Sequence, residues 1–166
     1  MGLHTRIIVI GCPGAGKSTL SRKIAEKLNL PLYHLDMIWH KPDKTTITKE
    51  EFDRRLFEIM QTDLWVIDGN YQRTLEQRIL AADTIVFLDF STQDCIDGVK
   101  SRVGIKRPDM PWIENQLDPE FKKLIVEFET TKKPKIYELL STRNDKKIYI
   151  LKTRNDCNSF ISNLVK

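Results

Sequence analysis

Eight consecutive residues, Gly11-Cys12-Pro13-Gly14-Ala15-Gly16-Lys17-Ser18, fit the pattern Gly-x-x-x-x-Gly-Lys-Ser/Thr, whose chemistry is the binding of a nucleotide's phosphates. Glycines at 11, 14 and 16 let the backbone curl so that successive N–H groups point inward at phosphate oxygens. A helix starting near Lys17 adds the positive end of its dipole. Lys17 brings a mobile cation to the β and γ oxygens, Ser18 a hydroxyl for Mg²⁺, and Thr19 a further hydroxyl for the α-phosphate. With Pro13 and Ala15 completing the turn, the run Gly11–Thr19 predicts ATP and Mg²⁺ as cofactors. Cys12 reads as a small buried residue, although its place at a helix N-terminus also leaves open a thiol of lowered pKa.

A phosphate cradle needs acids beside it. Asp68 ends the apolar run Trp65-Val66-Ile67-Asp68, where it either holds Mg²⁺ through water or serves the turn before Gly69. Asp89 ends another run and either acts likewise or caps the next helix. Asp36 follows Tyr33-His34-Leu35 and projects from a strand's carboxyl end, the edge where open parallel sheets bind ligands. A carboxylate there takes or orients the proton of a hydroxyl acceptor, whereas a phosphate acceptor is already ionised and needs no base. Asp36 as a capping residue is the other reading, so the acceptor stays open. His34 reads as a strand residue facing a neighbour, and Trp39 and Tyr71 as rings that stack on a ligand or pack internally.

These residues must be carried by an alternation of strands and helices. Short apolar or β-branched runs at Arg6–Ile10, Leu32–Leu35, Trp65–Asp68, Thr84–Asp89 and Lys147–Leu151 predict buried strands. Helical spacing predicts helices over Ser18–Leu28, Lys49–Met60, Thr74–Ala82, Asp94–Val103 and about Asp156–Val165. Asp118-Pro119-Glu120 combines an N-cap, a first-turn proline and an acid, and so starts a helix. Pro134 kinks or ends that helix before Ile136–Leu140. Strands separated by helices imply βαβ units, a mostly parallel sheet and right-handed crossovers. Met37–Thr46 and Lys106–Leu117 fit neither period, and loops of that length are usually lids or binding loops. The expectation is one domain over residues 1–166, with an acceptor-binding appendage at 37–63 and a short lid at 104–133.

Composition excludes classes. The chain has 166 residues, 40% hydrophobic and 30% charged, with 27 Lys and Arg against 23 Asp and Glu, a net charge of +4. That is neither a disordered chain nor a basic stripe, and with no helix-turn-helix or zinc signature, direct nucleic-acid binding is not expected. No apolar run approaches a membrane span or a signal-peptide core. Cys12, Cys95 and Cys157 are scattered and odd in number, which predicts reduced thiols and a cytoplasmic location. A GTPase is disfavoured because Asp68-Gly69-Asn70-Tyr71 is not Asp-x-x-Gly and Thr153-Arg154-Asn155-Asp156 is not Asn-Lys-x-Asp. The latter loop is expected beside adenine, reading it through backbone groups.

The segment Asp68-Gly69-Asn70-Tyr71-Gln72-Arg73-Thr74-Leu75-Glu76-Gln77 resembles the acceptor-binding stretch of adenylate-kinase-like nucleoside monophosphate kinases, with one extra residue before Arg73. The resemblance implies that Arg73 grips the acceptor's anionic group and that Gln77 reads its polar end. Arg102-Val103-Gly104-Ile105-Lys106-Arg107 resembles the entry to those kinases' lid, implying Arg102 against the ATP base and Lys106 or Arg107 near the phosphates. The chain also resembles, over most of its length, the DNA topology modulation proteins, themselves adenylate-kinase-like. That likeness rests on Tyr33-His34-Leu35-Asp36, Trp39, Asp68-Gly69-Asn70-Tyr71, Phe87-Leu88-Asp89-Phe90 and Arg107-Pro108-Asp109-Met110. The implied fold is a three-layer α/β/α P-loop fold with five parallel strands in the order 2-3-1-4-5. The implied function is an ATP-dependent small-molecule kinase, using Lys17, Arg73, Arg102 and Asp36, for a nucleoside monophosphate-like or small hydroxyl acceptor. The alternative class is an ATP-binding regulatory protein with little turnover. One departure bears on the choice. No arginine occurs between Arg107 and Arg143, so lysines, which are point charges rather than bidentate forks, would have to replace lid arginines.

Overall fold

Ile7, Ile8, Val9 and Ile10 are all fully buried. Successive strand residues point to opposite faces, so β1 (Arg6–Gly11) must lie mid-sheet with both faces covered. The computed structural model describes residues 3–166. The other strands among them are β2 (Leu32–His34), β3 (Trp65–Asp68), β4 (Thr84–Leu88) and β5 (Lys147–Leu151). They form one sheet in the order β2-β3-β1-β4-β5, every adjacent pair parallel, with Ile8 opposite Ile67 on one side and Ile85 on the other. The expected strand order and fold class are those observed.

The described residues also form eight helices, seven between strands and one after the last: α1 (Lys17–Leu28), α2 (Leu35–Trp39), α3 (Lys49–Met60), α4 (Gln72–Ala81), α5 (Thr92–Ser101), α6 (Pro119–Thr131), α7 (Lys133–Ser141) and α8 (Arg154–Asn163). Amphipathic stripes bury Leu20, Ile24, Ala25 and Leu28 of α1, and Phe52 and Leu56 of α3. α3 begins where expected, capped by Thr48, and α6 begins on Asp118 with Pro119 in its first turn. Three starts each fall two residues before the expected one. α5 starts two residues before Asp94 because Ser91 caps it, its hydroxyl accepting from the Asp94 N–H at 3.1 Å. α8 starts at Arg154 because Thr153 and Asp156 form a capping box, placing the acid in the first turn rather than at its start. α4 starts two residues before Thr74, following Tyr71 in a left-handed conformation (φ 32°).

The stretch 37–46, expected to be a loop, begins inside a helix, its first three residues belonging to α2. β2 stops at His34, Leu35 is the buried first residue of α2, and His40 then bridges Thr46 to close the turn 41–45. The stretch 106–117 is irregular, as expected. It is held by Gly104 N–H donating to the Glu114 carbonyl and by Arg107 pairing with Asp109 (3.2 Å) and Glu114 (3.5 Å). No helix among the described residues is long and apolar enough to cross a membrane.

Two polar devices hold the sheet and its edge. At the amino end, Asp83 accepts from Thr5 N (3.0 Å), Thr5 Oγ1 (2.7 Å), Arg6 N (2.8 Å) and Thr84 Oγ1 (2.6 Å). Burial opposes its ionisation, yet these donors hold its pKa below the ordinary carboxylate value. At the carboxyl end, Arg78 of α4 is fully buried. Its guanidinium donates to the carbonyl of Gly69 (2.9 Å), that of Asn70, that of Tyr71 (3.1 Å) and to Thr74 Oγ1 (3.2 Å). The turn after β3 is thus folded around one side chain.

Replacing Arg78 with Met takes this donor from the Gly69 and Asn70 carbonyls, while that of Tyr71 keeps Thr74 N–H and Oγ1, and the expected loss is about 2 kcal/mol or more in urea unfolding. An unchanged midpoint would show that the turn is held by something else. Asp83→Asn is expected to cost about 1–3 kcal/mol at neutral pH. Because the folded pKa is depressed, that stabilisation is present above the unfolded value and is lost as pH falls through the folded one. Wild type and variant should therefore converge in stability at acid pH, and a gap that persists there would refute the ionised role.

Candidate nucleotide and acceptor site

The carboxyl ends of β1, β2 and β3 open into a cleft of ≈ 780 Å³. The turn 11–16 runs from β1 into α1 along its floor. Gly14 (φ 88°) is compelled twice: its backbone is left-handed, and a Cβ would stand 2.0 Å from the Cys95 carbonyl oxygen on α5. Gly16 (φ 93°) is crossed by the Arg154 guanidinium, which would lie 2.2 Å from an added Cβ. These contacts seat the loop on α5 and beneath α8.

Pro13, Gly14, Gly16, Lys17, Ser18 and Thr19 line the cleft, while Ala15 is fully buried under the loop. Lys17 Nζ donates to the Cys12 carbonyl at 3.2 Å. Burial lowers the Lys17 pKa, and the charges of Asp36 and Asp68 oppose that shift, so both acids act on this ammonium. Ser18 Oγ accepts from Arg22 at 2.8 Å. Cys12 is buried, and the adjacent Cys95 thiol together with burial pushes its pKa up. The burial of Cys12 agrees with its reading as a small packing residue.

The two acids are held by different partners. His34 Nδ1 lies 2.6 Å from Asp68 Oδ2, across adjacent strands in register. Asp36, in the first turn of α2, accepts from the Tyr71 hydroxyl at 2.5 Å. Burial and Asp36 both raise the Tyr71 pKa, so the phenol stays a donor. Asn70 Oδ1 meanwhile accepts from Gly11 N–H at 3.1 Å. Asn70 and Tyr71, for which the sequence suggested no positioning role, therefore tie the turn after β3 to the phosphate loop on one side and to Asp36 on the other.

Arg102 follows α5 and lines the cleft, its Nε buried without a partner. Burial and the charge of Arg107 lower its pKa, while Asp36 acts in the other direction. The charges of Lys17 and Asp36 are both felt at Arg102, so the three share one cleft. Lys106 is exposed at the cleft's mouth. Arg154, absent from the sequence prediction, donates to the Ala15 carbonyl at 2.6 Å and lies 4.6 Å over the Phe90 ring. Its position just after the last strand was the available signal.

Two expectations are corrected. Arg73 is not in the cleft: it is exposed and binds both oxygens of Asp53 at 2.7 and 2.8 Å, beside a second hollow of ≈ 270 Å³ that includes Trp39, Phe52 and Tyr71. Arg73 and Arg78 are five residues apart, about 140° around the helix, so only one can face the turn, and it is Arg78. Gln77 is likewise exposed on α4. Asp89 neither caps α5 nor enters the cleft. It pairs with Lys133 (2.6 Å) and accepts from Tyr137 (2.5 Å), fastening α7 to the sheet.

No family model matches the chain. A shikimate kinase of Rhodococcus jostii (strain RHA1) is 25% identical over 103 residues, which span 54% of this chain and 61% of that protein. Among solved structures, a shikimate kinase from Bacteroides thetaiotaomicron superposes with a TM-score of 0.63 at 20% identity, covering 96% of this chain and 95% of its own. A gluconokinase from Sinorhizobium meliloti 1021 gives 0.58 at 17% identity, covering 99% and 95%. A shikimate kinase from Acinetobacter baumannii in complex with shikimate gives 0.62 at 15%, covering 96% and 89%. The chain has the five-stranded P-loop fold of these kinases.

Proposed function

We propose that this protein transfers the γ-phosphoryl group of Mg-ATP to a hydroxyl of a small molecule. The observation that carries the reading is Asp36, held by the Tyr71 hydroxyl at 2.5 Å in the same cleft as the phosphate loop and Lys17. A base so placed serves an alcohol and is superfluous for an ionised phosphate. Arg73, already bound to Asp53, is not free to grip a nucleoside monophosphate, so the hydroxyl acceptor is favoured. The matching region covers under two-thirds of the curated relative, so the activity rests on the site.

The residues fit the cofactors. The glycine turn and the partnerless Arg102 Nε suit a polyanion. Ser18 and Asp68 offer the hydroxyl and carboxylate that magnesium usually takes alongside phosphate oxygens. When bound, Mg²⁺ supplies a charge that neutralises the transferring group. Lys17 and Arg102 stabilise the equatorial oxygens. Asp36 orients the acceptor hydroxyl and accepts its proton, and Tyr71 holds the carboxylate in place. Ile105, Phe121, Leu124 and Ile161 give the cleft an apolar wall for the base.

We also assign the chain to the DNA topology modulation proteins. Two of that family's segments support this: Asp68-Gly69-Asn70-Tyr71 ties the phosphate loop to Asp36, and within Arg107-Pro108-Asp109-Met110 the Arg107–Asp109 pair holds the loop to itself. A regulatory ATP-binding protein without turnover would leave the Asp36–Tyr71 pair unused.

Acceptor-dependent ADP release, measured with Mg-ATP and a panel of alcohols, nucleosides and nucleoside monophosphates, tests the reading. Lys17→Ala is expected to lower kcat by about 10²–10³-fold. Asp36→Asn should lower it by about 10²–10⁴-fold with ATP binding retained. Tight ATP binding with no acceptor-stimulated turnover would favour the regulator, and an unimpaired Asp36→Asn would remove the base.

A further inference from the structure

Asp68 is buried at the carboxyl end of β3, and its two oxygens have unlike surroundings. Oδ2 lies 2.6 Å from His34 Nδ1, and the two side chains are only 8% and 11% exposed. Oδ1 accepts no hydrogen bond from the described residues. A carboxylate can only accept, so Nδ1 carries the proton that makes this bond. The charge of Asp68 is felt at Lys17, which sets the carboxylate in the field of the phosphate lysine.

The contact is dictated by the sheet. β2 and β3 run parallel, and His34 stands opposite Asp68 as the last pair of their ladder. Side chains alternate in face along a strand, so two residues in register at the ladder's end present their side chains on one side. Asp68 lines the cleft and His34 does not, so the imidazole touches the carboxylate and leaves the ligand space clear. Asp36 is held in the same manner by another donor, the Tyr71 hydroxyl. Each acid of the cleft floor therefore has a holder of its own.

An aspartate at a strand end turns about two side-chain torsions. Mg²⁺ demands near-ideal octahedral geometry from its few protein oxygens, so a carboxylate that turns freely serves it poorly. A hydrogen bond to one oxygen fixes the plane of the group and the direction of the other oxygen.

We propose that His34 is a positioning residue for the metal carboxylate: by holding Asp68 Oδ2 it presents Oδ1 to Mg²⁺ or to a water of its shell. This deepens the phosphotransferase reading and rests on it for the role given to Asp68.

Metal binding, measured apart from turnover, tests this. Mn²⁺, in place of Mg²⁺, is titrated into the full chain with a non-hydrolysable ATP analogue and followed by electron paramagnetic resonance. His34→Ala removes the bond, and His34→Leu removes it while keeping bulk on the strand. Either variant, folded by circular dichroism, is expected to bind Mn²⁺ about 10–100-fold more weakly. Affinity for the analogue in EDTA should be unchanged. His34→Asn, whose amide nitrogen stands where Nδ1 stood, should restore most of the loss. In an Asp68→Asn background, His34→Ala should cost no further affinity, because the two residues act through one contact.

The proposal is overturned if the folded variants bind Mn²⁺ as wild type does, or if affinity in EDTA falls as far as affinity with metal. It is also overturned if His34→Asn is as weak as His34→Ala, or if the His34→Ala loss persists beside Asp68→Asn. ADP release by the wild type with the acceptor panel reports separately. Its absence, with the expected metal effects, would sink the phosphotransferase reading alone. Acceptor-dependent turnover with unaltered metal affinity in the variants would sink this proposal alone.

Discussion

One buried guanidinium holds the turn on which both halves of the cleft depend. Arg78 donates to three consecutive carbonyls, Gly69 to Tyr71, and so ties the turn after β3 to α4. Fixing those carbonyls fixes the side chains between them. Asn70 then reaches the first N–H of the phosphate loop, and Tyr71 reaches Asp36 on α2. Donor and acceptor groups are thus indexed to the same three-residue turn. A cation buried this deeply is tolerable only because carbonyl dipoles replace its hydration, and the same requirement leaves it no freedom to touch a ligand.

The electrostatics of the cleft follow from what surrounds each charge. Lys17 and Arg102 are both depressed by burial and both felt by Asp36, so cations and acid converge on one region. On the far side, the arginines are neutralised locally by carboxylates on the same helix or the next. The positive field is therefore concentrated where phosphates would lie, although the chain's net charge is only +4. Field placement, more than net charge, sets what such a cleft can take.

Much of this was legible in the sequence, and the reason is locality. The phosphate loop is a contiguous string whose chemistry is carried by backbone N–H groups and one adjacent lysine. The strands were read from short apolar or β-branched runs, most plainly β1, β3 and β4, which lie mid-sheet and are buried on both faces. Helix starts were less secure because several caps compete. Asp94 and Asp156 both looked like first residues, and both proved to be the third residue of the first turn, paired with the caps Ser91 and Thr153.

What the sequence determined by itself was the fold class, the phosphate loop and the placing of Asp36 near the sheet's carboxyl edge, all consequences of order along the chain. What only the tertiary structure decided was which arginine does what. Arg73 matches a motif, but helix phase turns it toward Asp53, twenty residues away, and turns Arg78 inward. Asp89 lies at a strand end like Asp68, yet α7 brings Lys133 and Tyr137 onto it. A side chain's partner is set by the angle around its helix and by whatever distant element packs there, and neither is written in the spacing of a motif.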